Sequence, residues 1–244
     1  MSNKKPERSE SGAPIYRHQA RQRDFRVSAQ DPDSLERIEA HIAQYVGQPA
    51  TVFHEIVSDV VHVDIHIVEP SPSRDYYTLV TTGMSDRPMK TPAQAEGLEY
   101  AELLICLPPS WLMSEKAWKQ EENYWPVRWL KTLARLPHEY DTWLWAGHTV
   151  PNGDPPRRYA SNTNLCCALL ATPVLFGDPF RKLAVRDGKT VYFHSFLPIY
   201  REEVDLKLTS GTNALFDLLG DAGVTELLDV QRPNVAKKGK GLLR

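Results

Sequence analysis

The chain lacks any run approaching the roughly 20 apolar residues that span a bilayer. Its first stretch, MSNKKPERSESGAP, is polar throughout. No apolar h-region follows those lysines, so no secretory leader is expected. Cysteine is scarce: Cys106, Cys166 and Cys167. No CxxC pair exists to build a cysteine zinc site, and three cysteines do not make the even, spaced set of a disulfide scaffold. All three are read as reduced, buried thiols of a cytoplasmic protein. No GxGxxG or P-loop opens a helix, and no HExxH occurs. Ser85 follows Gly83-Met84, but Arg87 stands where a GxSxG nucleophile elbow needs glycine. Charge of one sign is lacking too. The formal net charge of -2 supplies no pull toward nucleic acid or an anionic membrane.

What is present is an ordinary globular composition. The 244 residues are 41% hydrophobic and 25% charged, enough to bury a substantial core. Residues 1–28 are basic and poor in apolar side chains, which predicts a flexible arm. Residues 231–244 carry Arg232, Lys237, Lys238, Lys240 and Arg244 and predict a flexible basic tail. A single domain is expected between them, over 29–230.

Within that domain, Asp31-Pro32 reads as an N-cap followed by proline at the first helical position. Leu35, Ile38, Ile42, Tyr45 and Val46 then share one helical face, and Gly47 ends it. Strands are predicted at Thr51–Val57, Val61–Ile67, Tyr76–Thr82, Tyr100–Leu107, Leu165–Ala171 and Lys189–Leu197. A short helix is capped by Ser114, and a longer one begins at Pro126 and stops at Pro137. Pro198 opens a C-terminal helical region that Gly211 interrupts, and Val224–Leu228 reads as one further turn. Strands in a run, with helices near the beginning, middle and end, favour an α+β fold with a central mixed, largely antiparallel sheet packed with helices.

The strand at Val61–Ile67 alternates strictly. Its polar set, His62, Asp64 and His66, predicts a half-buried strand with one wet face. Same-face neighbours lie about 7 Å apart along a strand, so two histidines could grip one metal. A third ligand would have to come from elsewhere, such as His54 or His194, to support a metal-assisted hydrolase. A second cluster is His138, Asp141, His148 and Asp154, where a His–Asp pair could do acid–base work or Asp141 and Asn152 could simply cap the backbone. Tryptophans exposed beside the GHTVPNGDP loop would suit a binding hot spot.

Several ordered segments resemble one family: YTLVTTGMSDRPM from Tyr77, YAELLICLPPSW from Tyr100, WPVRWLKTLARLPHEYDTWLWAGHTVPNGDP from Trp125, LPIYREEVDLKL from Leu197, and GVTELLD from Gly223. Over roughly residues 30–235 the chain is similar to the bacterial suppressor-of-fused domain. The resemblance implies an α+β fold, no shared catalytic residue set and no cofactor. It implies protein binding, since the related animal protein is a cytoplasmic scaffold that restrains a transcription factor, and some bacterial relatives are regarded as antitoxins or immunity proteins. The expected partner-binding surface joins Gly83, Ser85, Asp86 and Arg87 to His148, Asn152 and Asp154, beside the His62/Asp64/His66 face.

Overall fold

The structure is a computed structural model, and it describes residues 7–19, 31–54, 61–186 and 188–237. A two-stranded hairpin, β1 (Glu7–Arg8) and β2 (Pro14–Ile15), precedes α1 (Pro32–Tyr45). Then follow β3 (Thr51–Phe53), β4 (Asp64–Val68), β5 (Tyr77–Thr82), β6 (Tyr100–Leu107) and α2 (Glu121–Tyr140). The second half holds β7 (Thr149–Pro151), β8 (Cys167–Ala171), β9 (Lys182–Arg186), β10 (Lys189–Ile199), α3 (Arg201–Ser210) and α4 (Thr212–Asp221). Among the described residues no helix is long and apolar enough to cross a membrane.

Eight strands form one sheet in the order β3-β4-β5-β6-β10-β8-β7, with β9 also paired to β10. Only β6 and β10 run parallel; the other pairs are antiparallel. Both faces are covered. On β6, Ala101, Leu103, Ile105 and Leu107 pack beneath α2 with Trp125, Leu130 and Leu133. Leu104 and Cys106, on the other face, meet Ile38 and Ile42 of α1. A third cluster seats α3 and α4 on Cys167, Leu169, Leu197 and Ile199. Strands covered on both faces read as near-continuous apolar runs, and YAELLICL is one.

Helix α1 begins where the sequence predicts. The Asp31 carboxylate accepts the Ser34 hydroxyl at 2.7 Å, and the Ser34 N–H at 3.4 Å. Helix α2 is longer than predicted, with Pro126 and Pro137 inside it. Proline at 126 removes the N–H that would bond the Glu122 carbonyl. The Asn162 side chain donates to that carbonyl instead, at 3.3 Å, so the helix runs on. Pro198 likewise lies inside β10 rather than opening a helix. Past Ser195, β10 leaves β6 and pairs with β8 alone, so little is lost with the missing N–H.

The chain's last described stretch fills that gap. Cys106 N–H donates to the Glu226 carbonyl and Leu228 N–H to the Cys106 carbonyl, forming a parallel bridge at Leu227. The predicted helical turn at 224–228 is therefore an extended strap inserted beside β6. Its continuation is not a free tail, because Arg232 is buried. The predicted N-terminal arm is a docked hairpin over residues 7–19; the rest of the arm, the strand end beyond His54, the turn at Ser58-Asp59 and the tail beyond Lys237 lie outside the described residues.

Candidate functional site

The stretch after β5 is a tight turn because His62 crowds it. Gly83 has φ +94°, and a Cβ there would sit 1.7 Å from the His62 carbonyl oxygen. A 3-10 turn over Met84–Asp86 follows. His138 of α2 donates through Nε2 to the Met84 carbonyl at 2.9 Å. Ser85 donates its N–H and its hydroxyl to Glu102 Oε1, at 2.9 and 2.7 Å. Thr81 donates its hydroxyl to Glu102 Oε2 at 2.6 Å. Burial pushes the Glu102 carboxyl up to about 7 against the pull of these donors. Burial also raises Asp86 to about 6, opposed by the Asp31 backbone N–H and by Lys189. Gly83 and Ser85 are therefore core residues, while Arg87 is exposed and Asp86 half-buried. The sequence offered one signal for Glu102, a carboxylate alone in an apolar strand.

The polar side of β4 is not wet. Asp64 is 2% exposed and His66 1%. Asp64 accepts from His54 Nδ1 at 3.1 Å and from His62 Nε2 at 3.0 Å. His66 turns to Thr82 Oγ1 at 3.1 Å, and its Nδ1 lies 3.8 Å from Glu39 of α1. Burial lowers the His66 imidazole to about 4, with Asp64 opposing. Thus His54, suggested as a third ligand, shares a carboxylate with His62, while His194 packs against Trp145 on β10, three strand positions away. No group of three or more His, Cys, Asp or Glu is placed to hold a metal among the described residues.

His148 precedes the edge strand β7. Its ring donates to the Trp143 carbonyl, and burial first, then Lys207, lowers it to about 4. Asn152 holds the next loop closed: its N–H bonds the Cys166 carbonyl, and its side-chain amide donates to the carbonyls of Arg157 at 2.8 Å and Arg158 at 3.2 Å. Asp154 is at the surface, where Arg17 Nη1 meets it at 3.1 Å. The Gly83–Arg87 turn and this region do not adjoin across the sheet. Strands β5 and β7 are four positions apart, about 19 Å at strand spacing. Trp143 and Trp145 are half-buried beside the loop, while Trp125 and Trp129 are core. One further concavity has no counterpart in any sequence motif. The strap, Pro108 and Trp111 line a groove of about 490 Å³ with Val224, Leu227, Leu228 and Val230 on its walls.

An eight-stranded mixed sheet with helices on both faces, an occluded polar strand and no metal-holding cluster among the described residues define an α+β domain. The chain belongs to the suppressor of fused family: the sequence model of Suppressor of fused protein (SUFU) matches residues 59–233. Solved structures share the fold. A suppressor-of-fused homologue from Neisseria gonorrhoeae FA 1090 superposes with a TM-score of 0.64 at 17% identity, covering 86% of this chain and 100% of that one. The Sufu–Fu complex crystal structure gives 0.60 at 15% identity, covering 84% of this chain and 93% of that one. Drosophila Suppressor of Fused gives 0.57 at 14% identity, covering 85% of this chain and 54% of that one. No curated protein matches the sequence significantly.

Proposed function

We propose that this chain is a non-enzymatic protein-binding module of the suppressor-of-fused type, which holds and sequesters a partner protein. The observation that carries the reading is the match to a chain of the Sufu–Fu complex crystal structure, 93% of which is covered. The internal bonds of Glu102 to Thr81 and Ser85, and of Asp64 to His54 and His62, support it, because these carboxylates are engaged within the fold. Free, buried thiols at Cys106, Cys166 and Cys167 suit a reducing compartment, and we assign the cytoplasm.

The surface we assign to the partner is the β7 end of the sheet with the His148–Asp154 loop; Asp86 and Arg87 serve as a second, separate contact. Strand β7 is an edge. His148 and Asn152 bond toward β8, so the alternation of an antiparallel ladder turns outward the Thr149 N–H and carbonyl and the Pro151 carbonyl, proline having no N–H. Such an edge offers an added chain one short pairing site at Thr149, with Pro151 ending the ladder. The test is purification of the tagged protein in the presence of chelator, followed by reconstitution of any co-purified protein from separately purified components. A stoichiometric complex is expected, and a toxin as the partner would identify sequestration of the antitoxin or immunity kind. Near-stoichiometric zinc, iron or manganese, lost on His62→Ala with His66→Ala, would overturn the non-enzymatic reading.

A further inference from the structure

The hairpin at residues 7–19 precedes the family-matched region and is anchored at three points. Ser11 donates its N–H to the Leu208 carbonyl at 2.9 Å and its hydroxyl to the Lys207 carbonyl at 3.2 Å, at the end of α3. Arg17 reaches Asp154 in the loop after β7 at 3.1 Å. The His18 ring lies 5.2 Å from that of Tyr140, at the end of α2. Two of the anchors adjoin β7: Asp154 lies in the loop after it, and Lys207 reaches Thr149 Oγ1 at 3.5 Å.

The attachment is shallow. No residue from Glu7 to Gln19 is buried, and Tyr16 is 54% exposed. The Arg17 and Asp154 side chains are 68% and 83% exposed. Exposed ion pairs are screened by salt and hold little. Glu7 also pairs with Arg17, at 3.2 Å, and Arg8 donates to the Gly12 carbonyl at 2.6 Å. The hairpin thus keeps its own shape while gripping the domain lightly. Almost no apolar burial opposes its release.

We infer that residues 7–19 are an autoinhibitory strap lying across the β7 edge, displaced by an extended segment of a partner that brings its own cation to Asp154. This rests on the reading of β7 as the partner edge, but its test needs no partner. Hydrogen exchange is followed by mass spectrometry over 147–158 in the full chain, in Arg17→Glu, in Ser11→Pro, and in Arg17→Glu combined with Asp154→Arg. Exchange at Thr149 to Asp154 is expected to rise about five-fold in each single variant, and to return toward wild type in the charge-swapped pair. A synthetic peptide of residues 7–19, added to the Arg17→Glu protein, is expected to restore protection. Equal exchange in wild type and both single variants, or no protection by the peptide, overturns the strap while leaving partner binding to be decided by reconstitution.

Discussion

Arg232 clasps Glu203 with both arms of its guanidinium, Nη1 to Oε1 at 2.7 Å and Nη2 to Oε2 at 2.5 Å. Glu203 is fully buried on α3, and the Arg232 side chain is 8% exposed. The same carboxylate accepts the N–H groups of Tyr200 and Val235, at 2.9 and 3.0 Å. The pair therefore fastens the C-terminal strap to α3 while the strap's upstream part hydrogen-bonds β6. Removing one partner strands the other charge in the interior, which costs about 3–5 kcal/mol. Arg232→Met and Glu203→Gln should each lower the denaturation midpoint accordingly, and a double-mutant cycle should show strong coupling. Additive losses would mean that the two side chains act independently.

The Gly83 turn predicts a contrast between two glycines. Gly83→Ala meets the His62 carbonyl and a positive φ together, whereas Gly97, at φ +89°, has nothing within 4 Å of a new Cβ. Left-handed strain alone costs an alanine about 1–2 kcal/mol. Overpacking typically adds about 1–3 kcal/mol. Gly83→Ala should thus be the more destabilising of the two in urea titrations, with the excess reporting the His62 contact.

Glu102 has a folded-state pKa raised from 4.5 to about 7 by burial. Its ionisation is therefore harder in the folded chain than in the unfolded one. Its contribution is fully present below about 4.5 and is lost as pH rises to about 7. Stability of wild type relative to Glu102→Gln should fall across that window by on the order of 3 kcal/mol. A flat difference would show that the Ser85 and Thr81 donors fully offset burial.

His194 carries the opposite sign. It is 4% exposed, and neither ring nitrogen has a hydrogen-bond partner. Burial lowers it from 6.5 to about 4. The unfolded chain takes up the proton first, so stability is present above 6.5 and lost as pH falls toward 4. His194→Phe keeps the ring contact with Trp145 and removes two unpaired polar atoms. It should match or exceed wild type at neutral pH, by about 1 kcal/mol, and lose less stability in acid.

Local chemistry announced some of this architecture and long-range pairing hid the rest. Asp31, Pro32 and Gly47 bound α1 with nearby residues, so that helix was legible. The strands β5, β6, β8 and β10 were legible from apolar runs, as was the α+β class. The length of α2 was not, because Asn162 compensates Pro126 from 36 positions away. The wet face expected of β4 is absent for the same reason: Asp64 is held by His54 and His62, and His66 by Thr82, with His66 Nδ1 left without a hydrogen-bond partner among the described residues. The strap pairs Leu227 with Cys106, and no local pattern marks so distant a partner. Of the expected site, the turn at Gly83–Ser85 went to the core, and its separation from His148–Asp154 follows from strand order, which periodicity does not reveal.

The most direct test of partner binding at the β7 end is calorimetric titration of the reconstituted partner, with chelator present, into wild type, Thr149→Lys, Asp154→Arg and the remote control Leu112→Asp. Leu112 is 58% exposed and follows Trp111 in the segment after β6. Binding should be stoichiometric and insensitive to chelator, weakened at least about ten-fold (1.4 kcal/mol) by the two β7-end variants, and unchanged by Leu112→Asp. Affinity unaltered at Thr149 and Asp154, or lost on chelation, would contradict it.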